Sequence, residues 1–138
     1  MATQTTESQT SLGDQPLDPN APLLKVEDLH VEFRIEDGVV KAVNGLSYTL
    51  DQHETLAILG ESGSGKSVSA QAVMGILDTP PGFVTQGNVE FKGVDLLKLP
   101  EKTMAQEVRG QKIAMIFQDA LTALNPVFTV GWQIGEML

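Results

Sequence analysis

The sequence contains no cysteine, which excludes a disulfide framework and thiolate metal sites and is compatible with a cytosolic address. It also lacks long apolar runs. The longest, Leu56–Leu59 and Ile113–Phe117, have four and five residues, against the roughly 18 needed to span a bilayer. Any tie to a membrane must then go through another protein. Basic residues are scarce: nine Lys and Arg stand against 18 Asp and Glu, a formal net charge of −9. That balance argues against nucleic acid as a partner, which needs a basic footprint, and against a basic membrane-surface helix. The first residues, MATQTTESQTSLGDQ, have neither a basic start nor an apolar run, so they do not read as a secretory signal. The two histidines, His30 and His53, sit in no catalytic or metal-binding pattern and read as surface or turn residues.

What is present suits one compact domain. Apolar residues make up 41% of the 138, and the mean hydropathy is near zero. Residues 1–22 are rich in Thr, Gln, Ser, Asp and Pro and cannot bury enough surface to offset ordering entropy, so a disordered tail is expected there. From Leu23 the pattern turns to β. "LLKVEDLHVEFRI" alternates over Leu29, Val31, Phe33 and Ile35, and "VVKAVNGLSYTL" follows a turn at Glu36-Asp37-Gly38, which predicts a hairpin. "ETLAILG" has no polar alternation and predicts a strand buried on both faces. A helix is expected over Lys66 to Leu77, a turn-rich break at "DTPPGFVTQG", a strand at "NVEFKG", and a short polar helix over Lys98 to Gln111 entered at Pro100. "KIAMIFQ" predicts a second buried strand, "DALTALNPVF" a loop, and "TVGWQIGEML" the start of a helix in which Trp132 packs. Strand, glycine loop, helix and strand together imply an α/β plan with a parallel sheet.

The glycine loop carries the chemistry. Gly60-Glu61-Ser62-Gly63-Ser64-Gly65-Lys66-Ser67 satisfies G-x-x-x-x-G-K-[ST] at every fixed position. Glycines let the backbone take positive φ and curl around a phosphate chain. Successive N–H groups then form an anion nest at the N-terminus of the next helix. Lys66 offers a positive charge to the β- and γ-phosphates, and the Ser67 hydroxyl can ligate Mg²⁺. The bland alternative is a flexible Gly/Ser turn, but an apolar run enters the loop and a helical pattern leaves it. The loop is read as holding a nucleoside triphosphate. After Ser67 neither D-x-x-G nor N-K-x-D occurs, so the chain lacks the marks of a GTPase.

The hairpin, "GESGSGKS" and "IAMIFQDALTALNPVFTVGWQIGE" together closely resemble the ATP-binding cassette (ABC) family, and within it the ATPase subunits of bacterial oligopeptide and dipeptide importers. The resemblance covers about Leu23 to Leu138. It implies a partial P-loop NTPase core of α/β class with an N-terminal antiparallel β subdomain, truncated within the helical subdomain. It implies ATP and Mg²⁺ as cofactors, with residues 60–67 and Val68 around the nucleotide. Gln118 matches the Q-loop glutamine, which in the family approaches Mg²⁺ and the attacking water; the alternative is a polar strand cap. Phe33 matches the aromatic that stacks on adenine, or is simply hairpin core. The expected catalytic residues are therefore Lys66 and Gln118, and the expected metal ligands Ser67 and Gln118.

Asp119 does not read as a Walker B aspartate, because Gln118 separates it from the apolar run and one position moves a side chain to the other strand face. No Glu follows it. Two departures from the family stand out: His53 where a glycine is usual, and Ala120 where a proline is usual. The S-G-G-Q signature, the Walker B Asp with its Glu, and the switch histidine do not occur before Leu138. Residues 23–138 are thus expected to be the N-terminal part of an ABC ATP-binding domain that binds ATP without turning it over. The resemblance further implies a parent that pairs with a second ATPase subunit, lies on the inner face of the bacterial membrane, and drives permease subunits importing peptides. An importer of another substrate such as nickel, or a truncated ATP-binding module without transport role, stays open on these residues.

Overall fold

The computed structural model describes residues 18, 20–118 and 124–136. Most of the expected tail, residues 1–17 and 19, and Asp119 with Ala120 lie outside the described residues. Four strands form one antiparallel sheet in the order β2-β1-β3-β4: β1 Leu24–Ile35, β2 Gly38–Leu50, β3 Gly82–Phe91 and β4 Val94–Asp95. The expected hairpin is there, with Ile35 opposite Gly38 across the turn. Val31 lies between Val43 of β2 and Val84 of β3, so the alternating residues of β1 face the core from the centre of the sheet.

The alternation over Leu29, Val31 and Phe33 would by itself send Val26 to the wrong face, since three positions separate it from Leu29. A register shift at this point corrects the parity. Asp28 takes φ +48 in the left-handed region, its N–H donates to Ser47 Oγ at 2.8 Å, and both Val26 and Leu29 end up buried. Gly87 faces this bulge. A β-carbon there would lie 2.6 Å from Leu29 Cα, which only glycine avoids.

The core joins the sheet to helix α1, Lys66–Met74. Val26, Leu29, Val31, Val43, Val89 and Phe91 pack with Ala72 and Val73 of α1, and with Leu96, Met104 and Val108 from the segment after β4. α1 stops three residues short of the expected Leu77 because Gly75 takes φ +62. Its N–H returns to Ala72 O and that of Ile76 to Gln71 O, a Schellman-type ending. The expected helix over 98–111 is instead a 3-10 turn at Leu96–Lys98, capped by Asp95, then α2 (Glu101–Thr103) continuing into one π-helical turn, Met104–Val108. Near the end of the described chain, α3 spans Val130–Gly135, where Trp132 stacks on Phe128 with ring centroids 4.5 Å apart.

Three strand expectations need correction. "DTPPGFVTQG" is no simple break, since Gly82 to Gln86 already belong to β3; Thr79 Oγ1 donates to Gly82 O at 2.7 Å and secures the entry. "ETLAILG" forms no strand, and its apolar side chains are open to solvent. "KIAMIFQ" makes only an isolated bridge between Ile113 and Arg109, with Ile116 and Phe117 exposed. The expected parallel sheet is absent among the described residues. An apolar run shows that a segment suits burial, but a strand exists only where a neighbour completes its ladder, and no described residue does so for either run.

Candidate functional site

The glycine loop joins residues 54–60 to the start of α1. Gly63 and Gly65 take φ +79 and +86, as a backbone must when it curls to aim consecutive N–H groups inward. The Gly65 carbonyl accepts the Ser69 N–H at 2.8 Å, opening the first turn of α1, and Ser69 Oγ donates to Lys66 O at 2.7 Å. No acidic side chain stands in that first turn to compete for its positive end. The Lys66 ammonium donates to Gly60 O at 2.7 Å, to Glu61 O at 2.6 Å and to Ser64 Oγ at 3.2 Å. It therefore spans the loop from within, and Gly60 leaves room for this: a β-carbon there would sit 2.5 Å from Ser64 Oγ.

Two cavities flank the loop. One, of about 370 Å³, is lined by Ala42, by residues 62–68 and by Gln118. The chain returns to bring Gln118 to the same cavity as Ser67, although "KIAMIFQ" is not a strand. The other, of about 420 Å³, lies between the loop and β2 and takes in Lys41, Ala42, Ile58, Gly60 and Lys66. No Asp or Glu lines either cavity among the described residues.

The predicted residues thus divide. Gly60 and residues 62–68 line one cavity or the other, Glu61 contributes its carbonyl to Lys66, and Gln118 joins them. Phe33 does not. It pairs with Val40 and Gly82 in the sheet, packs against the core and lines neither cavity. Sequence reasoning missed Ala42 and Lys41. The Ala42 carbonyl lies close against the loop at Gly65, and a backbone contact leaves no mark on its own residue type. The only trace is on the partner: Gly65 is fixed because a side chain there would meet that oxygen.

The donor set suits a magnesium nucleotide. Mg²⁺ is usually held by one or two protein oxygens together with substrate phosphates and water, without a dedicated protein cage. The described residues hold no cluster of three or more His, Asp or Glu that would form such a cage. Ser67 and Gln118, each carrying an oxygen that can ligate a cation, line one cavity with the glycine loop and Lys66.

The glycine-rich loop opens a helix as in the P-loop class of folds, and residues 43–133 match the ABC transporter family, to which the chain belongs. More particularly, it is 53% identical over 116 residues to the oligopeptide transport ATP-binding protein OppD of Bacillus subtilis (strain 168), an alignment covering 84% of this chain and 32% of that protein. It is 51% identical to the dipeptide transport ATP-binding protein DppD of the same organism, over 84% of this chain and 34% of the relative. With DppD of Escherichia coli (strain K12) the figures are 48%, 84% and 35%. The chain spans about a third of the length of these relatives. No helix among the described residues is long and apolar enough to cross a membrane.

Proposed function

We propose that this chain is the N-terminal, nucleotide-binding part of an ATPase subunit that powers import of oligopeptides or dipeptides across the bacterial inner membrane. The observation that carries the reading is the single cavity holding Lys66, Ser67 and Gln118 around the glycine nest. The peptide substrate is favoured over nickel by the relatives, whose names specify oligopeptide and dipeptide transport.

In this reading the N–H groups of residues 63–67 and the N-terminus of α1 bind the phosphate chain. Lys66 exchanges its bonds to the Gly60 and Glu61 carbonyls for bonds to the β- and γ-phosphates. Ser67 and Gln118 are the protein ligands of Mg²⁺, which when bound neutralises charge on the phosphates. Hydrolysis also needs a base for water. In this reading residues 23–138 bind ATP without turning it over. The parent protein would pair with a second ATPase subunit and sit peripherally on the cytoplasmic face, against permease subunits.

Titration of the chain with ATP in the presence of Mg²⁺ tests this. Lys66→Ala is expected to weaken binding by about 10- to 100-fold, the value of a charge-assisted hydrogen bond or two. A parent chain that binds no nucleotide, or a Lys66→Ala variant that binds as well as the parent, would overturn it.

A further inference from the structure

The far end of α1 is held by a side chain that the nucleotide site does not use. Arg109 Nε donates to Met74 O at 2.8 Å, and its terminal nitrogen donates to Gly75 O at 2.6 Å. The same guanidinium forks onto the Glu101 carboxylate, with one of the two bonds at 3.0 Å and the other to Glu101 Oε1. The Arg109 side chain is 19% exposed. Three orphan or charged acceptors from two segments thus converge on one rigid, planar donor, which a lysine cannot reproduce. Beside it a cavity of about 140 Å³ is lined by residues of α1 and of the Leu96–Arg109 segment, next to the contacts of Ala72 and Val73 with Leu96 and Met104.

Arg109 also stands at the base of the stretch that ends in Gln118. The chain turns tightly after it: Lys112 and Ile113 donate to Val108 O at 2.9 and 3.0 Å, and Gly110 donates to Ile113 O at 2.9 Å. Ile113 then packs on the core. Residues 114–117 belong to no regular element, yet Gln118 arrives in the cavity at the other end of α1. The return segment that ends in Gln118 thus starts from two anchored points, Ile113 in the core and Arg109 on the helix end.

We propose that Arg109, braced by Glu101, is a positioning residue for the nucleotide site: it locks the C-terminus of α1 to the return segment and so fixes Gln118 against the helix that carries Lys66 and Ser67. The proposal rests on the nucleotide-binding reading for its consequence, a Mg²⁺-dependent part of ATP affinity that needs Arg109. Arg109 itself touches no cavity-lining group of the loop.

The absence of cysteine makes the geometry measurable. Spin labels at Gln71→Cys on α1 and at Ile116→Cys, which is 98% exposed, report the distance between helix and return segment. With Arg109 present a single narrow distribution is expected. Arg109→Met should make it broad or bimodal, and Arg109→Lys, which keeps the charge without the fork, should fall between. In unlabelled chain, Arg109→Met should weaken ATP binding about tenfold with Mg²⁺ present while leaving Mg²⁺-free binding nearly unchanged, since the displaced Gln118 is a ligand of the metal and not of the phosphates. An unchanged distance distribution or an equal loss with and without Mg²⁺ would overturn the proposal. Should Arg109→Met fail to fold by circular dichroism, Arg109→Lys decides: a distribution and Mg²⁺ dependence identical to the parent also overturn it. If the parent chain binds no ATP at all, the nucleotide reading fails, and the label distances still decide whether Arg109 positions the return segment.

Discussion

Gly65 lies against Ala42 so closely that a β-carbon on residue 65 would stand 2.2 Å from the Ala42 carbonyl oxygen. The glycine loop is thus built onto β2 as well as onto α1, and the hairpin that precedes the loop is part of the site's scaffold. Gly63 offers the contrast: it has nearly the same positive φ, +79 against +86, but nothing within 4 Å of where its β-carbon would be. Gly63→Ala should cost only the left-handed strain, about 1–2 kcal/mol. Gly65→Ala should cost that and a further overpacking penalty of about 1–3 kcal/mol, and should weaken Mg-ATP binding more. Urea denaturation of both variants is the check; equal losses would show that the Ala42 contact does not constrain the loop.

His53 carries a second backbone consequence. It adopts φ +65, so the turn keeps the conformation that suits the glycine usual at this place in the family, with an imidazole now bearing the strain. His53→Gly is expected to raise stability by about 0.5–1 kcal/mol, the relieved strain less the extra unfolded-state entropy of glycine. His53→Val should lower it, because a β-branched side chain tolerates this region worst. A pair of thermal melts decides, and a His53→Gly variant less stable than the parent would show that the imidazole makes a contact of its own.

The hairpin, the glycine loop and the start of α1 are legible because each is a local matter: alternation over Leu29–Ile35, and glycines at Gly63 and Gly65 ahead of a helical pattern; the stop at Gly75 is not, since the pattern runs on to Leu77. The sequence was silent on what depends on partners far along the chain. The bulge at Asp28 that brings Val26 into register answers to Gly87 across β3. The apolar runs at Leu56–Leu59 and Ile113–Phe117 carry the composition of buried strands, yet composition cannot supply a hydrogen-bonding neighbour. In the candidate site the motif residues were legible and Arg109 was not, since its partners are two backbone carbonyls and a glutamate with no fixed spacing.

Acid should loosen the sheet at its bulge. Asp28 Oδ1 bonds His30 Nε2 at 3.0 Å, and its other oxygen accepts from Gln86. These bonds, that to His30 foremost and then that to Gln86, hold the carboxyl below its ordinary range. The Arg109 bond does the same for Glu101. A carboxyl whose folded pKa is depressed stabilises the fold fully above the ordinary value, and that contribution is lost as pH falls through the depressed one. The urea midpoint should therefore drop as pH is lowered from about 5 to about 3. Asp28→Asn keeps a side chain tolerant of the φ of +48 while removing the charge. It should flatten part of that dependence, and a variant with the parent's full slope would place the titration elsewhere.

Leu59 and Ile116 are 91% and 98% exposed, and each lies in an apolar run outside any strand ladder. Unpaired backbone next to open apolar side chains is the template on which chains add to one another. The isolated chain should accordingly associate as concentration rises, visibly in light scattering. Leu59→Lys with Ile116→Lys should suppress this while leaving the urea midpoint within about 0.5 kcal/mol of the parent, the range for substitutions that remove no buried contact. A double variant that scatters as before would assign association to another surface, such as the exposed Phe128–Trp132 pair on α3 and its approach. One that loses several kcal/mol would mean that these side chains are buried in solution, and that the two runs find in each other or in a second copy the ladder they lack here.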